Sequence, residues 1–189
     1  KEVVASANNE EKAENKKETE QNHIIISMKG LNLLDDKRYS ANLLCSMLWW
    51  NMSSRLFQDI REKLWICYYI SAWHWCSNEY GLFTIRAWLD KTKFEFWVEK
   101  INEVVDKFLD EWFTDEEFNN AKNCIKWNIQ MWIEWSAEMA SYLWDQYISK
   151  KEIRSLEEVL EKYEEIKKED IIELFPMLKS ENRYRFHIE

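Results

Sequence analysis

Glycine is almost missing from this chain of 189 residues: there are two, Gly30 and Gly81. Tight turns and left-handed helix exits are therefore left to residues with a Cβ, which is costly at positive φ. Proline is represented once, by Pro176. No apolar run approaches the ~20 residues that span a bilayer, and no secretory signal is visible, so the expectation is a soluble cytoplasmic protein with no membrane role. Lys and Arg total 26 against 35 Asp and Glu, a net charge of −9. That balance argues against nucleic acid, whose phosphates call for clustered cations. The four cysteines, Cys45, Cys67, Cys76 and Cys124, include no C-x-x-C pair. They read as buried reduced thiols of a cytosolic protein. A zinc site from Cys67, His74 and Cys76 is conceivable but matches no standard ligand spacing, and ranks well below that reading.

What the chain does have is tryptophan, 12 of them. Trp and Gly together make up about the share that glycine alone takes in an ordinary protein, roughly 7%. Several Trp fall where glycine is expected. Trp112 follows one helical stripe and precedes the capping residue of the next, a C′ position that favours glycine. Trp65 reads as another helix exit, Trp49-Trp50 as a join between helices, and Trp73, Trp75 and Trp88 as strand ends. Trp127, Trp132, Trp135 and Trp144 lie in helices without sharing a face. We read most of these positions as glycine in the natural protein, produced by translating a reassigned UGA codon as Trp. Twelve UGG codons in the gene would dispose of that reading. The alternative is a genuine aromatic core or a peptide- or ligand-stacking platform.

Residues 1–20 are rich in Glu, Lys and Asn and read as a flexible charged linker or arm; the ordered domain is expected over residues 21–189. "HIIISM" (His23 to Met28) predicts a strand buried on both faces, from its unbroken apolar run. Helices are expected over "DDKRYSANLLCSML" and "SSRLFQDIREK". "ICYYISA" and "GLFTIRA" read as an antiparallel pair. Phe94, Val98, Ile101, Val105 and Phe108 form one helical stripe. "TDEE" (Thr114 to Glu117) is a capping box opening the next helix, with Phe118, Ala121, Ile125 and Ile129 inward. Further helices are expected over Ser136–Ile148, Ser155–Tyr163 and Lys168–Leu178, and "RYRFHI" as a closing strand. The fold class is α+β, a largely antiparallel sheet with helices packed on one face. His23 reads as a core histidine and His74 as an exposed loop residue.

Five blocks in order, "TEQNHIIISMKG", "MSSRLFQDIREK", "GLFTIRA", "FTDEEFNNAKNCIK" and "IRSLEEVLEKYEEIKKEDI", resemble the inverzincin zinc metallopeptidases of the pitrilysin and insulinase type, which include the mitochondrial processing peptidase. Family members carry two homologous halves, and the first holds the H-x-x-E-H zinc helix. This chain has only His23, His74 and His187 and no such motif, so it resembles the second, non-catalytic half. The resemblance implies that zinc and the general base sit in a partner half, either upstream in the same polypeptide or a separate subunit. It also implies that this chain holds no metal, closes a chamber over a peptide substrate, and supplies an Arg and a Tyr seven residues apart. Here those are Arg61, toward a substrate carbonyl, and Tyr68, toward the oxyanion forming at the zinc. The family has Gly where Trp65 stands between them, and a Trp there would displace both. Taken without the resemblance, Arg61 would be a surface ion pair and Tyr68 a core aromatic. The other reading within the family is a non-catalytic scaffold or assembly subunit.

Overall fold

The computed structural model describes residues 12–14, 21–50, 54–56, 60, 67–132, 136–150 and 153–188. Among the described residues five strands form one sheet, accompanied by six α-helices. The strands are β1 (Lys12–Glu14), β2 (Gln21–Gly30), β3 (Cys67–Cys76), β4 (Gly81–Asp90) and β5 (Tyr184–Ile188). Their order across the sheet is β1-β5-β2-β4-β3. All neighbours are antiparallel except β1 and β5. The largely antiparallel α+β architecture is thus as the sequence implies. Three residues of the segment read as an arm, Lys12–Glu14, stand in the sheet beside Phe186, His187 and Ile188.

The helices are α1 (Arg38–Cys45), α2 (Phe94–Glu111), α3 (Asp115–Trp132), α4 (Ser136–Lys150), α5 (Leu156–Glu165) and α6 (Lys168–Ile172). A π-turn over Ser46–Trp50 continues α1. The stripe Phe94, Val98, Ile101, Val105, Phe108 is buried along α2 as its 3.6-residue period requires. Both halves of the Thr114 capping box form: Thr114 N–H donates to Glu117 at 2.7 Å, and Glu117 N–H to Thr114 Oγ1 at 3.1 Å. Ser155 and Glu158 make a second box at the start of α5. Most of the helix expected over "SSRLFQDIREK" lies outside the described residues, although Leu56 and Ile60 belong to the core. The last expected helix stops early; α6 ends at Ile172 and 3-10 turns over Phe175–Leu178 and Ser180–Asn182 lead into β5. Among the described residues no helix is long and apolar enough to cross a membrane.

One expectation about the sheet fails. In β2, Ile24, Ile26 and Met28 are buried, whereas His23 and Lys29 are exposed and Ile25 is partly so. The buried apolar residues of the neighbouring strands (Ile70, Ala72, Phe83, Ile85, Ala87, Leu89) share the face of Ile24, Ile26 and Met28, while the polar Ser71 and Thr84 are the buried residues on the opposite face of β3 and β4. His23 accordingly sits on the outer face, edge-on to Trp88 at 5.2 Å, and is not a core histidine.

The β3–β4 hairpin is longer than the sequence suggests. Ser77 N–H donates to Tyr80 O at 2.7 Å, and strand pairing runs up to Cys76 and Gly81. Trp73 and Trp75 therefore lie within β3 and Trp88 within β4, not at their ends; the Arg86 guanidinium stacks 4.5 Å over the Trp73 ring. Both surviving glycines are demanded by close approach. A Cβ on Gly81 would sit 1.7 Å from Leu31 O, and one on Gly30 would sit 2.7 Å from His74 Nε2.

Candidate functional site

Arg61 lies outside the described residues, immediately after the buried Ile60. Tyr68 is described by its backbone alone, as the second residue of β3, which forms one edge of the sheet. The register there is irregular: Cys67 pairs with Leu89 and Tyr69 with Trp88, so Tyr68 is an extra residue without a partner position on β4. A bulge of this kind bends an edge strand and re-aims a side chain, and bulges gather beside active sites.

The segment that leads to Arg61 is tied down by a residue that sequence reasoning did not mark. Arg55 donates through Nε to Glu117 Oε1 at 2.5 Å and through Nη2 to Glu117 Oε2 at 3.2 Å, and also to Trp112 O at 3.1 Å. A two-point guanidinium–carboxylate contact fixes direction as well as distance. Glu117 thus serves the α3 cap and the Arg55 fork together. Burial raises its carboxyl, but the hydrogen bonds from Arg55 and Thr114 outweigh burial and hold it below its ordinary range. Nothing in the spacing of "MSSRLFQDIREK" distinguishes Arg55 from its neighbours.

The remaining chemistry-bearing groups do not converge. His74 is not an exposed loop residue: it stands in β3, half-buried, 4.7 Å from the Phe83 ring. Its Nε2 accepts from Leu31 N–H at 3.0 Å, which leaves the ring proton on Nδ1, 3.2 Å from Cys76 Sγ. Burial pushes its pKa down to about 4. Cys67 is at the opposite end of the ten-residue strand, roughly 30 Å away at the rise of an extended chain. Cys67, His74 and Cys76 therefore cannot share one metal ion. Among the described residues no group of three His, Cys, Asp or Glu side chains could hold one. Cys45 is buried and its thiol is pushed up by burial, whereas Cys76 and Cys124 are partly exposed.

Trp112 has φ 63° and ψ −165°, the only positive φ at a non-glycine among the described residues. That combination belongs to a region populated almost solely by glycine. Its ring is 53% exposed, so no packing requires it. Trp97 is half-buried, and its Nε1 has no acceptor among the described residues.

Comparison with known proteins bears on most of the chain. The family described as "Peptidase M16 inactive domain" matches residues 2–124. The uncharacterized zinc protease YmxG of Bacillus subtilis is 32% identical over 124 residues, 66% of this chain and 30% of that protein. An uncharacterized zinc protease of Rickettsia bellii is 32% identical over 158 residues, 83% of this chain and 38% of that protein. The crystal structure of a peptidase M16 inactive domain from Pseudomonas fluorescens superposes with a TM-score of 0.82 at 16% identity, over 94% of this chain and 43% of that one. The chain thus spans well under half the length of the proteins it resembles. With five sequence blocks in order, an H-x-x-E-H motif missing and the same sheet-and-helix architecture, the chain belongs to the M16 zinc peptidase family, as its C-terminal, inactive half.

Proposed function

We propose that this chain completes a two-half zinc peptidase: it closes a chamber over a peptide and presents Arg61 and Tyr68 to the active site of the half that carries H-x-x-E-H. The observation that carries this reading is the bulge at Tyr68 on the edge strand β3, seven residues after Arg61. An unpaired backbone position at a sheet edge lets a phenol leave the strand's usual alternation and reach beyond it. The Arg55–Glu117 fork supports the same reading, since it anchors the segment running toward Arg61 on the rigid α2–α3 junction.

Each group has a defined task. Arg61 donates to a substrate backbone carbonyl and holds the peptide in register, and its guanidinium keeps its protons at any working pH. The Tyr68 phenol donates to the oxyanion that develops as water adds to the scissile carbonyl. Zinc held in the partner half would supply the Lewis-acid chemistry, polarising that carbonyl and lowering the pKa of a bound water.

Peptide cleavage by the complete protein tests the proposal. Tyr68→Phe is expected to lower kcat by roughly 10²-fold, the scale of losing one oxyanion donor. Arg61→Ala is expected to raise KM and lower kcat/KM. Wild-type activity in both variants would overturn the proposal and leave a scaffold or assembly role.

A further inference from the structure

Among the described residues helix α4 differs from α2, α3 and α5 in burying no apolar side chain. Among its described residues the sole buried one is polar, Gln146. Gln146 reads both backbone groups of Arg154: its Nε2 donates to Arg154 O at 3.0 Å, and Arg154 N–H donates to its Oε1 at 3.2 Å. Tyr142 OH donates to the same carbonyl at 3.2 Å. The helix is thus moored to its own chain by amide and phenol groups. Four of its apolar side chains are exposed: Leu143 is 37% exposed, Trp144 64%, Tyr147 59% and Ile148 56%, whereas Met139 and Tyr142 are partly buried. With the exposed Ala140 they recur at intervals of three and four, the spacing that on α2 builds the buried stripe. Leu143, Tyr147 and Ile148 keep that stripe even where glycine replaces Trp144.

A helix-long apolar stripe of this kind marks a surface that another protein covers. A lipid surface is a poor fit, because an interfacial helix carries Lys and Arg along its polar side. Here Glu138 and Asp145 stand against Lys150 alone. The proteins this chain matches continue for more than half their length beyond the matched part. We infer that the outward face of α4 is the surface on which the H-x-x-E-H half docks. This rests on the two-half reading above and adds to it the contact surface.

Amide hydrogen exchange tests it, comparing the complete protein, with both halves present, with this chain alone. Exchange across Ala140–Ile148 is expected to slow at least tenfold in the complete protein. Tyr147→Glu and Ile148→Glu are expected to abolish that extra protection and separate the halves in sedimentation velocity. Phe96→Glu, at an exposed apolar position on α2, should do neither. The thermal midpoint of this chain alone should be unchanged in all three, since each side chain faces solvent. Equal exchange in α4 with and without the other half would overturn the inference while leaving the two-half reading intact. Protection of α4 that rises with the concentration of this chain alone would also overturn it, in favour of a second copy. A complete protein with no H-x-x-E-H half would remove both readings together.

Discussion

Trp112 shows how much one residue can disclose. Between the stripe ending at Phe108 and the capping box at Thr114, Trp112 stands at the exit of α2, where glycine is favoured. The backbone there, at φ 63° and ψ −165°, is the glycine conformation. Holding a Trp in it costs roughly 1–3 kcal/mol, while glycine's extra freedom in the unfolded chain costs about 0.5–1 kcal/mol. Trp112→Gly is therefore expected to stabilise the chain by about 1 kcal/mol in urea denaturation. Trp127→Gly, within α3, should lose roughly 0.5 kcal/mol. A loss at both positions would sink the glycine reading of position 112. His74 was harder to place from sequence, because two flanking Trp at apparent strand ends disguised a continuous strand. Its pKa of about 4 in the fold against 6.5 for an ordinary histidine has a definite sign. The unfolded chain takes up a proton below pH 6.5 that the folded chain refuses, so stability falls from there down to about pH 4. Between pH 7 and 5 the loss should be about 1–2 kcal/mol, less than the full shift because the ring is only partly buried. His74→Gln should flatten that part of the pH profile; an unchanged profile would show that another group is responsible.

At the scale of elements, what the sequence discloses depends on periodicity. The α2 stripe, the Thr114 capping box and the β3–β4 pair rest on local spacing, and each forms where the pattern places it. Burial of β2 on one face was not legible, because Ile24, Ile25 and Ile26 look alike until the position of the helices is known. Nor was the outward turn of α4, whose apolar period is indistinguishable from that of a core helix. The α2–α3 junction gives a test at this scale. Thr114→Ala removes one cap bond and should cost about 1 kcal/mol in chemical unfolding. Glu117→Gln should cost more, since Glu117 also carries the Arg55 fork. Equal losses would mean that the fork contributes nothing measurable.

For the whole molecule, family and fold were readable because five blocks keep their order. The pair Arg61 and Tyr68 was accessible through resemblance alone: an Arg and a Tyr seven residues apart, across a junction, carry no periodic mark. The two proposals separate by concentration. An Arg61→Ala effect on kcat/KM should persist at any protein concentration, whereas the Ile148→Glu defect should shrink as separately supplied halves are concentrated. The sheet order has a consequence for synthesis. β2 can pair with β4 once the β3–β4 hairpin has emerged, but its other edge waits for Tyr184–Ile188, made long after β2 itself. Until those residues are made, the ribosome-bound chain displays a bare apolar strand edge beside Ile24 and Ile26. Such an edge templates pairing with other chains. β5 acts as the latch on the fold, and a nascent chain stalled before it would be a substrate for chaperones rather than a folded half.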